Sequence, residues 1–351
     1  MERVKLGDVA TYINGYAFKP EDWADNGVEI IRIQNLTGKS REINYYEGDF
    51  DSKYEVNPGD VLISWSASLG VYVWKKERSV LNQHIFKVIF NKLEINKDFF
   101  VYQVATILNK AGVSAHGATM RHLTRPVFDS LPFRLTDIDS QNRIAGVLNY
   151  ASTLIKLRQQ QLTQLDTLVK ARFVEMFGDP ITNENGWREY RWSDVLLIKN
   201  GRNQKKIEQP NGEYAICGSG GVIGRGIEYI TEAESVVIGR KGNINKPMLM
   251  HERYWNVDTA FGLEPHSEVL DVNYLYIFCE MYNFESLNKT VTIPSLTKSD
   301  LLNIKIPIPP LSLQNQFADF VKQVDKSKVA VQKALDEAQM LFDSLMQEYF
   351  E

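Results

Sequence analysis

The longest regular pattern in the chain runs from Asp139 to Phe177, with no proline and one internal glycine, Gly146. Apolar residues fall at Ile144, Leu148, Ala151, Ile155, Leu162, Leu165, Val169 and Met176. Neighbours are three or four apart, except for two steps of seven where Arg158 and Arg172 stand on the stripe. That is the heptad spacing of a long helix packed on one partner helix. At ~1.5 Å per residue it would run on the order of 57 Å. Ser140 is placed to cap its start and Gly178-Asp179-Pro180 to stop it.

The partner lies in the same chain. Residues 311–351 repeat the pattern 173 positions downstream: Gln141-Asn142 recurs as Gln314-Asn315, Ala145 as Ala318, Leu162 as Leu335 and Phe177 as Phe350. The second stripe reads Phe317, Val321, Val324, Lys328, Val331, Leu335, Ala338, Phe342, Leu345 and Tyr349. Matched length, register and opening motif predict that the two helices pack on each other.

The helices divide the chain into segments 1–138 and 179–310, which echo each other. Asp8-Val9 followed by Asn14-Gly15 matches Asp194-Val195 followed by Asn200-Gly201. Val61-Leu62-Ile63 matches Val236-Val237-Ile238, Asn82 matches Asn256, and Leu131-Pro132 matches Ile306-Pro307. The offset drifts from 186 to 173, as in duplicated units that have gained and lost residues. Within each segment the β-branched and aromatic runs 71–74, 85–90 and 236–238 predict strands. One helix is predicted per segment, near 97–110 and 271–287. The fold class is therefore α+β: two similar recognition domains (1–138 and 179–310) separated by long spacer helices (139–178 and 311–351). The helices are expected to form an antiparallel coiled coil with a pseudo-two-fold relation between the halves, a measuring bar with a reader at each end.

These residues carry a resemblance. In the first segment it rests on Pro58-Gly59-Asp60-Val61-Leu62-Ile63-Ser64-Trp65-Ser66 and Leu81-Asn82-Gln83-His84-Ile85. In the second it rests on Ile238-Gly239-Arg240-Lys241-Gly242 and Trp255-Asn256-Val257-Asp258-Thr259-Ala260-Phe261. Leu131-Pro132 with Gln141, Ile306-Pro307-Ile308-Pro309-Pro310-Leu311 with Gln314, and Met176-Phe177-Gly178-Asp179-Pro180 complete it. The whole chain resembles the specificity subunit of type I restriction–modification enzymes. It departs from the family in having Ser140 and Leu313, where an acidic residue usually precedes the helix-opening glutamine. The resemblance implies two target-recognition domains, each reading half of an asymmetric split site in double-stranded DNA. It implies that the paired helices set the spacer and dock methyltransferase subunits, two of them, which methylate adenine with S-adenosylmethionine. It also implies ATP- and Mg-dependent restriction–translocase subunits in the larger assembly, and no cofactor on this chain.

Composition tempers that picture without changing it. Of 351 residues, 44% are hydrophobic and 24% charged, as in a globular protein. The net charge of −4 argues mildly against DNA, so DNA must be held by local basic loops. No apolar run is long enough to span a membrane, the N-terminus does not read as a signal peptide, and Cys217 and Cys279 are isolated. A cytoplasmic protein is the expectation. The chemistry of an enzyme is missing. The one Pro-Pro pair, Pro309-Pro310, lacks the flanks of an adenine-methyltransferase clamp. Gly218–Gly224 lacks the third glycine of a dinucleotide loop at the required spacing. There is no phosphate-binding Gly-Lys-Ser/Thr loop, and His251-Glu252 has no second histidine on its helix face.

Sequence readout needs donors and acceptors on loops that enter a groove. The first segment offers Ser64, Trp65, Ser66 and Ser68, then Asn82, Gln83 and His84, then His116, Thr119, Arg121 and His122. The second offers Arg202, Lys205, Lys206, Ser219, Arg225, Arg240, Lys241 and Asn243, then Thr290, Thr292 and Ser295. The expected function is a non-catalytic, sequence-specific DNA adaptor. Its rivals are a coiled-coil scaffold whose end domains bind protein, and a DNA enzyme with unrecognised motifs.

Overall fold

Two helices of forty residues, Ile138–Phe177 and Leu311–Phe350, occupy the heptad stretches of this computed structural model. It describes residues 2–114, 123–290 and 292–351. The first helix opens earlier than Ser140: Asp137 is its cap, its carboxylate accepting the Ser140 N–H at 2.8 Å. That bond and the Ser140 hydroxyl hold the Asp137 carboxyl down at about 2. The helix ends at Phe177, where Gly178 takes φ +77° and its N–H reaches the Val174 carbonyl at 2.8 Å.

The chain forms two compact units, Met1–Leu157 with Leu335–Glu351, and Arg158–Ala334, so each long helix gives part of its length to each unit. In the first unit, an antiparallel sheet runs in the order Thr11–Asn14, Ile85–Ile89, Val61–Ser64, Gly70–Val73. A second sheet has the order Asn44–Tyr46, Val28–Ile31, Ser79–Leu81, Glu55–Val56, parallel between its middle strands. A third pair joins Glu2–Lys5 to Pro132–Leu135.

The second unit repeats this plan. Its antiparallel sheet runs Leu196–Asn200, Ala260–Pro265, Ser235–Gly239, Met248–Met250. Its second sheet runs Gly221–Gly226, Tyr214–Gly218, Tyr254–Asn256, again parallel where the first unit is parallel. Glu189–Arg191 pairs with Lys305–Pro307. The short strand Glu55–Val56 is reduced there to a single antiparallel bridge, Thr231 against Tyr254. The helices near 97 and 272 span Lys97–Ser114 and Val272–Met281. The second stops short of the expected 287 because Tyr282 is extended and Asn283 opens a separate 3-10 turn, Phe284–Leu287.

Two duplicated details explain why the sequence echoes. A Cβ on Gly15 would lie 2.1 Å from the Asn82 carbonyl oxygen, and one on Gly201 would lie 1.8 Å from that of Val257. Each Asn-Gly therefore marks backbone crossing backbone, with no room for a side chain. The helix-opening glutamines are buried fasteners. Gln141 Oε1 accepts the Asn96 N–H at 2.9 Å and its Nε2 donates to the Thr136 carbonyl at 2.8 Å. Gln314 Oε1 accepts the Asp271 N–H at 2.8 Å, and its Nε2 donates to the Pro309 and Val269 carbonyls at 2.8 and 3.0 Å. Asn96 and Asp271 are themselves caps, each accepting a backbone N–H from the first turn of the short helix. One glutamine thus locks the start of a long helix to the start of a short one in each unit.

The stripe is the core of both helix pairings. Ile144 and Leu148 share the first unit's core with Phe342, Leu345, Tyr349 and Phe350, so the start of one helix meets the end of the other. In the second unit Val169, Phe173 and Phe177 pack with Phe317, Val321 and Val324, again antiparallel. Val331 is buried, while Ile155, Leu162, Leu165, Met176 and Leu335 are half-buried. Heptad counting passes over Phe173, which is fully buried with its ring 5.4 Å from Phe317. There the stripe turns to meet Tyr274 of the short helix, 5.0 Å away. Burying one such ring contributes roughly 1.5–3 kcal/mol.

Candidate nucleic-acid interface

In the first unit the polar loops converge. The hairpin Val61–Ser64/Gly70–Val73 lifts residues 65–69 above the sheet, with Ala67 at its tip at φ +57°. A non-glycine residue in the left-handed region is a strained position of the kind found at working loops. The parallel pairing of Val28–Ile31 with Ser79–Leu81 carries residues 32–39 and 82–84 to the same place. The result is a groove of about 580 Å³ that brings together Ser66, Ser68, Asn82, Gln83 and His84. Structure adds Trp23, Arg32, Gln34 and Lys39 to its lining. Lys39 Nζ donates to the Ser68 hydroxyl at 3.2 Å. The Arg32 guanidinium stands 4.9 Å over the Trp23 ring and donates to the Asn44 amide oxygen. This cation, amide and aromatic set suits base edges and phosphate oxygens. No local motif announces Arg32 or Trp23; the sheet pairing puts them there.

Not every expected reader faces the groove. Ser64 is fully buried and its hydroxyl donates to the Ser68 carbonyl, bracing the loop from below. Trp65 stacks on Phe86 at 5.7 Å and packs edge-on to His84. It lines a smaller cavity of about 230 Å³ with Asn14, Phe86, Leu123 and Arg125. His116, Thr119, Arg121 and His122 lie outside the described residues.

The second unit gathers its own cluster. The segment Arg240–Gly242 pairs with Pro294–Leu296: Leu296 N–H reaches the Arg240 carbonyl at 2.9 Å, and Gly242 N–H the Pro294 carbonyl at 3.0 Å. Lys241 thereby faces Ser295 across a bridge. The Ser219 hydroxyl lies 3.7 Å from where a Gly242 Cβ would stand, and the Asn243 amide 3.8 Å from a Gly220 Cβ. Ser219, Arg240, Lys241, Asn243 and Ser295 are thus neighbours. Asn288, which sequence reading passes over, organises the adjoining loop. Its Oδ1 accepts from the Thr290 N–H, the Thr290 hydroxyl and the Ser295 N–H, at 3.1, 2.8 and 3.1 Å. Thr292 is exposed on that loop. Lys289, bonded to both oxygens of Asp300 at 2.9 Å, holds that carboxyl below its usual range.

Arg202, Lys205 and Lys206 lie exposed on the separate turn 202–207. Arg225 spends its guanidinium at home, donating to the Gly212 and Glu213 carbonyls at 3.0 and 2.8 Å. Asn256, the counterpart of Asn82, is fully buried, its amide oxygen accepting the Thr231 hydroxyl at 2.8 Å. Gly218–Gly224 is a hairpin, not the loop before a helix. Burial pushes the Cys217 thiol up to about 12 and raises Cys279 as well, so neither is an activated nucleophile. Among the described residues no three His, Cys, Asp or Glu side chains are placed to hold a metal ion, and no helix is long and apolar enough to cross a membrane.

One fold made twice, each copy gathering amide, hydroxyl and cationic side chains on an open surface, defines a tandem DNA-reading protein. The chain belongs to the type I restriction modification DNA specificity domain family, which matches residues 1–167 and again 184–338. Among curated relatives it is 21% identical to the type I restriction enzyme EcoBI specificity subunit of Escherichia coli, covering 98% of this chain and 83% of that one. It is also 21% identical to the MjaVIII specificity subunit of Methanocaldococcus jannaschii, over 95% of this chain and 89% of that one. Among solved structures, the S subunit of a type I restriction–modification system from M. genitalium shares the fold. Its TM-score is 0.63 at 16% identity, over 100% of this chain and 96% of that one.

Proposed function

We propose that this chain is the DNA-reading subunit of a type I restriction–modification complex and recognises a bipartite, asymmetric site, one half with each unit. The observation that carries this reading is the duplication: the same strand order and the same glutamine fastener occur twice, while the polar surfaces of the two units differ in their residues. Two unlike readers on one chain suit two unlike half-sites. In this role the chain works in the cytoplasm and supplies recognition only. Methyl transfer from S-adenosylmethionine to adenine belongs to methyltransferase subunits docked on it, and ATP-driven restriction to further subunits. No cofactor is required of the chain itself.

The test is methylation mapping in cells that carry the full chain with its methyltransferase partner. The expected result is a split motif with an unspecified spacer. Exchanging residues 1–138 for those of a relative should then change one half of the motif and leave the other. A contiguous motif, or a motif that changes in both halves, overturns the reading.

A further inference from the structure

The Tyr214–Gly218/Gly221–Gly226 hairpin turns through two residues, Ser219-Gly220, and its second strand is the outermost of its sheet. On that strand Val222 and Ile223 are 54% and 55% exposed, and Ile293 on the neighbouring loop is 60% exposed. Three large apolar side chains in water are unexpected in the midst of a polar cluster. A Cβ on Gly220 would meet only the Asn243 amide, at 3.8 Å, and one on Gly224 would approach nothing closer than the Glu208 carboxylate, at 3.4 Å. Neither residue is in the left-handed region. At Gly226 and Gly212, by contrast, the protein's own atoms would lie 2.5 and 2.4 Å from a Cβ. The fold therefore leaves no room for a Cβ at 212 and little at 226, whereas at 220, in the turn, and at 224, beside the bulge, a Cβ would fit. Gly220 lies in the turn and Gly224 beside the bulge where the pairing shifts between Ile216 and Cys217, and the space left open at both keeps the outer face of the hairpin thin around Val222 and Ile223.

We infer that this hairpin enters the major groove of the second unit's half-site, with Val222 and Ile223 against thymine 5-methyl groups. The inference rests on the DNA-reading function proposed above and names the bases that this unit selects. The continuity with Ser219, Lys241 and Asn243 identifies the occupant: donors and a cation border the apolar pair, as phosphate and base edges border the methyl groups in duplex DNA. A two-stranded ribbon fits the major groove, and the thymine methyl is the apolar feature displayed there. Gly220 and Gly224 leave the ribbon thin enough to reach the floor.

The experiment uses the full chain in complex with its methyltransferase. Each thymine of the mapped motif is replaced in turn by uracil, which lacks only the methyl. The wild-type complex should lose about fourfold in affinity at each contacted base, the value of one buried methyl group. Ile223→Ala should bind thymine DNA more weakly and lose its response to uracil at one position. Gly224→Ala should melt like the wild type yet bind its motif at least tenfold more weakly. The inference is overturned if uracil is bound as well as thymine throughout, or if the second half-site holds no thymine. It is equally overturned if the variants lose the methyltransferase instead of the DNA, which would make a protein the occupant. A wild-type complex without any specific motif would overturn the DNA-reading function itself, a result distinct from all of these.

Discussion

Replacing Gln314 by leucine tests whether the glutamine fastener holds the second unit together. The side chain is fully buried and makes three hydrogen bonds, to the Asp271 N–H and to the Pro309 and Val269 carbonyls. Leucine fills similar space but satisfies none of them. Each backbone group left dry and unpaired costs about 1–3 kcal/mol, and partial relaxation brings three of them to roughly 3–6 kcal/mol. That is comparable with the whole stability of many domains, ~5–15 kcal/mol. At ~3 °C per kcal/mol for a unit of this size, Gln314→Leu should lower the unit's Tm by roughly 10–20 °C. Hydrogen exchange should localise the damage to Val272–Met281, whose cap loses its backbone partner. Gln314→Glu refines the test. An introduced carboxyl keeps the acceptor for Asp271 but faces two carbonyls, to which it can donate only when protonated. Its folded pKa is therefore raised above the unfolded value of ~4.3. The sign follows: its contribution is fully present below ~4.3 and is lost as pH rises through the folded value, so this variant should be more stable at pH 4 than at pH 7, relative to wild type. A Gln314→Leu chain that melts within 2 °C of wild type, or an unchanged exchange pattern, would refute the reasoning.

Gln141→Leu should do to Lys97–Ser114 what its counterpart does to Val272–Met281, read by the same exchange measurement. Gly201→Ala, with its Cβ only 1.8 Å from a carbonyl oxygen, should cost about 3 kcal/mol or prevent folding. Gly146→Ala, exposed in mid-helix with nothing within 4 Å, should stabilise by about 0.5–1 kcal/mol; thermal melts decide both. For Asp137→Ala the denaturation midpoint should fall below wild type at pH 7. The gap should close as pH drops from 3.8 towards about 2, because a carboxyl with a depressed folded pKa contributes only where it is ionised. Lys241→Gln should reduce the slope of log affinity against log salt by about one if Lys241 meets a phosphate, and leave it unchanged otherwise.

Much of the framework was legible because it is written in local periods and in repetition. The 3.5-residue spacing located both long helices to within a few residues, and the paired Asn-Gly and glutamine motifs exposed the duplication. Errors arose where a single long-range contact overrules a local pattern. Ser140 has the chemistry of a cap, but Asp137 sits where the first turn actually opens. Phe173 lies off the heptad stripe, yet the short helix covers it through Tyr274. The candidate interface was legible in pieces only. Ser66, Ser68, Asn82, Gln83 and His84 were visible as polar loops, whereas Arg32, Gln34 and Lys39 join them through a parallel strand pairing across some fifty residues of sequence. Ser64 and Arg225 looked like readers by residue type, and their partners in the fold show them bracing loops instead.

In the proposed role, duplication also separates the residues that fold the chain from those that would choose its target. Every position that recurs in both halves and can be explained physically belongs to the frame. Gly15 and Gly201 permit a backbone crossing, and Gln141 and Gln314 fasten a helix start. Apart from Asn82, which recurs as the buried Asn256, none of the groove and cluster residues recurs. Arg32, Gln34 and Lys39 have no equivalents among Ser219, Val222, Ile223 and Asn243, although both sets hang on the second sheet of their units or beside it. A frame held twice under the same steric and hydrogen-bonding demands, carrying surfaces free to diverge, is what a protein needs to read two unlike sequences with one fold. It follows that substitutions in the frame should lower stability and leave the methylated motif unchanged in whatever protein still folds. Substitutions at Arg32 or Ile223 should alter the motif with little change in melting. A frame variant that shifts the motif, at full stability, would break this division.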